Sequence, residues 1–135
     1  MESLQNKRDM YRVELIKEMC GQLSVDNLNV SNGESGLYNI GILDISAVGI
    51  CFRCKLNLPT ENLVYKVHFK VFNFTYSFKG ILKWKKSEEA GKYLYGLQLE
   101  VSEEEKNELI KVITWISVKS KSSLDGVYNF CEKRC

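Results

Sequence analysis

The sequence predicts a small antiparallel β-barrel with a C-terminal helix, and three observations carry that prediction. Between Leu63 and Val101, apolar and polar residues alternate in three successive segments, the period of strands with one buried face. The turns between these segments are too short for a crossover, so neighbouring strands must pair antiparallel. After them, Leu109, Val112, Ile113 and Ile116 recur at i, i+3, i+4 and i+7, which is one apolar stripe on a helix. Such a helix buries its stripe by covering an open end or side of the strands.

A chain of 135 residues argues for one domain, whose core removes roughly two-thirds of the unfolded surface from water. A net charge of +2 is too mild for a protein that coats duplex DNA, so an anionic partner must be held by particular residues. No run approaches the roughly 18 apolar residues of a membrane helix, and no basic-then-apolar leader opens the chain. A cytosolic location without membrane insertion is expected.

In order along the chain, residues 1–10 are polar, mixed in charge and without periodicity, and the segment 1–11 is expected to be mobile before ligand arrives. From Tyr11 to Val25 the signal is double. Val13, Leu15, Ile16, Met19, Cys20 and Leu23 suit a helix face, whereas Tyr11, Val13 and Leu15 alternate with Arg12 and Glu14 as in a strand. The neighbouring segments favour the strand. Asp26 to Gly36 is a turn-rich loop, and the run Tyr38 to Lys55 begins as a strand through Ile40 and Ile42. After a turn around Pro59, Leu63, Tyr65, Val67, Phe69 and Val71 share one face, which leaves His68 on the polar side as a solvated histidine. Tyr76, Phe78, Gly80, Leu82 and Trp84 are expected to face the core, as are Tyr93, Tyr95, Leu97, Leu99 and Val101. Ser102 and Glu105 then form a capping box at the head of the helix, where Glu103 to Glu105 complement its positive end. The expected layout is a barrel over 12–101, a helix over 103–118 and a tail over 119–135, with Val127, Tyr128 and Phe130 as anchors for a partner or a short extra helix.

Five cysteines are an odd count for a disulfide framework, and no secretion signal accompanies them. Cys51 and Cys54 have the spacing of a metal knuckle, but a strand sends positions three apart to opposite faces. No second pair at zinc spacing exists, so no metal and no cofactor are expected.

Two short patterns remain. Asp44 and Ser46, two apart on an extended chain, present a carboxylate and a hydroxyl to one face, and Gly49 follows where bare backbone allows a bend or a close approach. Taken alone, this is most simply a turn held by an Asp or Ser side chain. Near the N-terminus, Lys7 precedes Arg8-x-x-x-Arg12. Together, Arg8-x-x-x-Arg12 followed by Asp44-x-Ser46-x-x-Gly49 resembles the PilZ domain, a family that binds the bacterial second messenger cyclic di-GMP. The resemblance covers residue 7 to about 118 and implies a six-stranded barrel with a C-terminal helix.

The resemblance implies that Lys7, Arg8, Arg12, Asp44, Ser46 and Gly49 bind the ligand. A guanidinium can pair bidentately with the O6 and N7 edge of guanine, clamp a phosphate or stack on a base. Asp44 can accept from guanine N–H groups, Ser46 can bond phosphate or base, and Gly49 permits close approach of its main chain. Lys7 holds the position that in the family influences whether one or two stacked ligands bind. The N-terminal segment is expected to order on ligand binding. With no catalytic or DNA-binding domain expected beyond the barrel, the signal leaves through a protein partner, for which the family suggests motility, surface-attachment or envelope machinery. Two alternatives stand beside it: an adaptor of the same fold that acts without ligand, and a barrel binding single-stranded nucleic acid through Tyr65, Phe69, Phe78, Trp84, Tyr93 and Tyr95. One polar-face histidine and no nucleophile–base pair leave little basis for an enzyme.

Overall fold

The computed structural model describes residues 12–25, 37–61 and 63–119. Six strands follow in chain order: β1 (Arg12–Val25), β2 (Tyr38–Ser46), β3 (Gly49–Cys54), β4 (Tyr65–Val71), β5 (Phe74–Ser87) and β6 (Tyr93–Leu99). Helix α1 (Glu103–Lys119) ends the described chain. All pairings are antiparallel, and the sheet closes in the order β1-β2-β3-β6-β5-β4. This is the barrel and helix that the alternation and the apolar stripe predict. Closure leaves none of these strands as a free edge.

The interior follows the period-two pattern most plainly in β4, where Tyr65, Val67, Phe69 and Val71 are all buried. Phe52 of β3 stacks on Tyr95 of β6 with ring centroids 5.2 Å apart. Leu109, Val112, Ile113 and Ile116 of α1 are fully buried in the same cluster, each burial contributing about 1.5–3 kcal/mol. The capping box forms in both directions: Glu105 N–H donates to Ser102 Oγ at 3.1 Å, and Ser102 N–H donates to Glu105 Oε1 at 2.9 Å. Two core tyrosines also tie down the segment before β4. Tyr95 OH accepts from Leu58 N–H at 2.8 Å and donates to the Leu56 carbonyl, while Tyr65 OH donates to the Pro59 carbonyl at 2.7 Å. Burial pushes the Tyr65 phenol up to about 12.

Three irregularities break the ladder, between Glu14 and Met19 on β1, Ile42 and Asp44 on β2, and Leu82 and Trp84 on β5. A bulge resets which side chains face the core. The first explains the double signal of Tyr11 to Val25: one strand with a change of phase matches neither period throughout. The third corrects the expectation for Trp84. Leu82 is 5 % exposed, but Trp84 is 47 % exposed and lies on the outer wall. His68 is also not simply solvated. It is half-buried, with Ser24 Oγ 2.9 Å from Nε2 and Ser77 Oγ 2.8 Å from Nδ1, and desolvation assisted by Lys66 lowers its pKa. The β4–β5 turn places Phe72 (φ 53°) and Asn73 (φ 69°) in the left-handed region, the form of a tight hairpin. Asparagine tolerates it, whereas the phenylalanine incurs about 1–2 kcal/mol.

Candidate functional site

The bulges on β2 and β5 bring their next residues into one row across the outer wall. In register, Glu14 of β1 stands opposite Asp44 of β2, Asp44 opposite Cys51 of β3, Cys51 opposite Gly96 of β6, and Gly96 opposite Trp84 of β5. A cleft of about 270 Å³ runs along this row, lined by Asp44, Ser46, Gly49, Lys83, Trp84 and Gln98 among others. Asp44, Ser46 and Gly49, singled out by their spacing, therefore share one cavity wall.

Trp84 is the part of this wall that the alternation pattern hides. Its indole lies across Gly96: a Cβ there would stand 2.1 Å from Nε1 and 2.3 Å from Cε2. Only glycine leaves room for the ring to lie flat against β6. The result is an aromatic face beside a lysine, Lys83, and a carboxylate, Asp44. One signal in the sequence marks the pairing, a tryptophan and a glycine on consecutive strands, but the bulge needed to align them has no signature of its own.

Ser46 shapes the turn between β2 and β3. Its Oγ accepts from Gly49 N–H at 3.0 Å and Val48 N–H at 3.2 Å, and its hydroxyl donates to the Gly49 carbonyl at 3.2 Å. The simple reading of this stretch as a serine-held turn is thus what the fold contains. Leu99 N–H donates to the Val48 carbonyl at 2.9 Å, which ties the turn to the end of β6. Gly49 does not adopt a left-handed φ. A Cβ on it would meet the Leu97 carbonyl at 3.0 Å, so close packing of β3 on β6 is what favours glycine.

Of the arginines, Arg12 is the first residue of β1, and its backbone stands in register opposite Ser46. Lys7 and Arg8 lie outside the described residues, as do the segment 1–11 and the tail beyond Lys119. Cys51 lines the cleft while Cys54, three residues on, is buried in the core, where desolvation raises its pKa. Among the described residues no group of three or more histidine, cysteine or acidic side chains is placed to hold a metal.

A family model for the PilZ domain matches residues 23–115. The chain belongs to the PilZ domain family. That is a family of cyclic di-GMP receptors and adaptors, binding domains rather than enzymes. The matched span of this PilZ domain contains Asp44, Ser46, Gly49 and Trp84, whereas Arg8 and Arg12 fall upstream of it. The fold is similar to that of the Bacillus subtilis inhibitor of motility (MotI/DgrA), with a TM-score of 0.54 and 12 % identity over 80 % of this chain and 49 % of that one. The PilZ chain thus spans about half the length of that protein. No curated protein matches the sequence. No described helix is long and apolar enough to cross a membrane.

Proposed function

We propose that this PilZ domain is a cytosolic bacterial receptor for cyclic di-GMP, with Arg8, Arg12, Asp44, Ser46 and Gly49 forming the site and Lys7 at its edge. The observation that supports it most is the meeting of Asp44, Ser46 and Gly49 in one cleft whose rim is in register with Arg12. A volume of about 270 Å³ is near the lower end of small-molecule pockets, roughly 300–1,000 Å³. The cleft takes one base, and the rest of the dinucleotide lies against groups that come over it. Arg8 is four residues from Arg12, so its backbone lies within about 14 Å of that position, close enough to reach the same ligand.

In this arrangement Trp84 offers a face on which guanine stacks, an interaction of about 1–3 kcal/mol per base. Asp44 accepts from the guanine N–H groups, Lys83 provides a point charge for phosphate, and the arginines supply the planar, bidentate contacts that lysine cannot. Ser46 acts mainly through the turn, holding Gly49 and Val48 in place. Ligand contacts from Lys7, Arg8 and Arg12 fix residues 4–12 against the barrel, at about 1–2 kcal/mol of backbone entropy per residue. The surface so completed is what a protein partner reads, and the likeness to an inhibitor of motility makes motility machinery the first place to look.

Calorimetric titration with cyclic di-GMP, with GTP and with the corresponding adenine dinucleotide tests the proposal. Saturable heat with cyclic di-GMP alone is expected, together with protection of residues 4–12 in hydrogen exchange. A second reading, a ligand-independent adaptor, is favoured by the engagement of the Ser46 hydroxyl within its own turn. Absence of heat with all three nucleotides would make it the better account.

A further inference from the structure

A second concave surface lies between α1 and the start of β5, with a volume of about 550 Å³. It is lined by Tyr76 of β5 and by Glu104, Glu105, Asn107, Glu108, Lys111, Val112 and Trp115 of α1. Its aromatic end is open to solvent. Trp115 is 41 % exposed and meets Phe72 edge-on, with centroids 6.0 Å apart. Val118, one turn further along α1, is 59 % exposed and Phe74 is 62 % exposed. Phe74, Tyr76 and Phe78 alternate along β5 and so share one face, which starts at the exposed end of the strand and runs into the core at Phe78. Phe72, which meets Trp115, is itself left-handed, a conformation that is rare for bulky side chains.

The charge of the lining is acidic on balance, three glutamates against Lys111. Glu104 and Glu108 are exposed, one turn apart, and make no ion pair among the described residues. We infer that this groove docks a basic amphipathic segment of another protein, apolar side chains against Trp115, Phe72 and Val118 and lysine or arginine toward Glu104 and Glu108. Charge complementarity selects the occupant. A second copy of the chain in a two-fold pair would bring these glutamates onto the same patch of its neighbour, like charge against like. The groove shares no residue with the Asp44 cleft, so it stands or falls separately from the ligand proposal.

The test uses the full chain carrying Trp84→Phe, which leaves Trp115 as the sole tryptophan. The probe is a synthetic amphipathic peptide of leucine and lysine, with a leucine–glutamate peptide of the same pattern as control. The lysine peptide should shift Trp115 emission to the blue in a saturable manner. Glu104→Lys with Glu108→Lys, on exposed positions and checked for unchanged melting, should weaken that binding by about tenfold or more. Four results would overturn the inference: no saturable shift, an equal response to the glutamate peptide, full affinity after charge reversal, or self-association in sedimentation that Phe74→Ser abolishes.

Discussion

Trp84 and Trp115 are exposed to nearly the same degree, 47 % and 41 %, but they line separate cavities. Trp84 lies over Gly96 beside Lys83, in a cleft that also holds Asp44 and the serine turn. Trp115 meets the edge of Phe72 in a groove with three glutamates. Exposure alone would class both as apolar patches. Their neighbours separate them: the cleft offers an aromatic face with a cation for a flat anionic ligand, and the groove offers aromatic edges with carboxylates for a cationic, apolar one. The support differs too, since the β2–β3 turn that lines the cleft is tied to β6 by the Leu99–Val48 backbone bond, whereas Phe72 sits in a strained turn.

Substitutions that affect one surface and spare the other sharpen this contrast. The largest effect is expected from Arg12→Ala or Asp44→Ala. Each bidentate guanine contact contributes about 1–3 kcal/mol, so cyclic di-GMP affinity by calorimetry should fall about tenfold to a hundredfold or more. Arg12→Lys should lose much of it as well, because the charge remains but the fork does not. Wild-type affinity in Arg12→Lys would show that bare charge suffices. Peptide binding at the α1 groove should not change in any of these variants.

Gly96→Val comes next. Its Cβ would overlap the Trp84 ring, so the indole must leave β6. Overpacking of this kind costs about 1–3 kcal/mol of stability. In a chain carrying Trp115→Phe, Trp84 emission should move to the red and ligand affinity should drop, while the far-ultraviolet dichroism of the barrel is retained. Unchanged Trp84 emission would mean that the ring does not rest on Gly96.

How far these surfaces could be read from the sequence depended on whether a strand kept its phase. In β4 the alternation of Tyr65, Val67, Phe69 and Val71 runs unbroken, and the sequence alone places all four inside. The capping box at Ser102 and the stripe from Leu109 to Ile116 were equally legible, because both follow from fixed helical spacings. Asp44, Ser46 and Gly49 could be singled out, and they do share a wall. Trp84 could not be placed, because a one-residue bulge after Leu82 turns an inward position outward without changing composition. The same holds for β1, where the break between Glu14 and Met19 gave a strand the look of a helix. The alternation in β4 puts His68 on the polar face, but its bonds to Ser24 and Ser77 come from register across three strands, which no local pattern contains.

Smaller effects test the scaffold that both surfaces share. Tyr65 is 1 % exposed and its phenol is raised to about 12 by burial, from an unfolded value near 10. Between these values the unfolded chain has lost the proton and the folded chain retains it. Stability is therefore full below about pH 10 and declines as pH rises toward 12. Denaturant melts across that range should show the decline, reduced in Tyr65→Phe. Smaller still, Ser102→Ala removes the cap of α1 and should cost about 1 kcal/mol, or roughly 4 °C in Tm.

The most direct test of the central claim uses Trp115→Phe, which leaves Trp84 as the only tryptophan. Its emission is followed while cyclic di-GMP is added. Stacking of guanine on the indole predicts saturable quenching that GTP and the adenine dinucleotide do not reproduce and that Asp44→Ala abolishes. Emission that stays constant to saturating ligand would contradict the claim that this cleft receives the guanine.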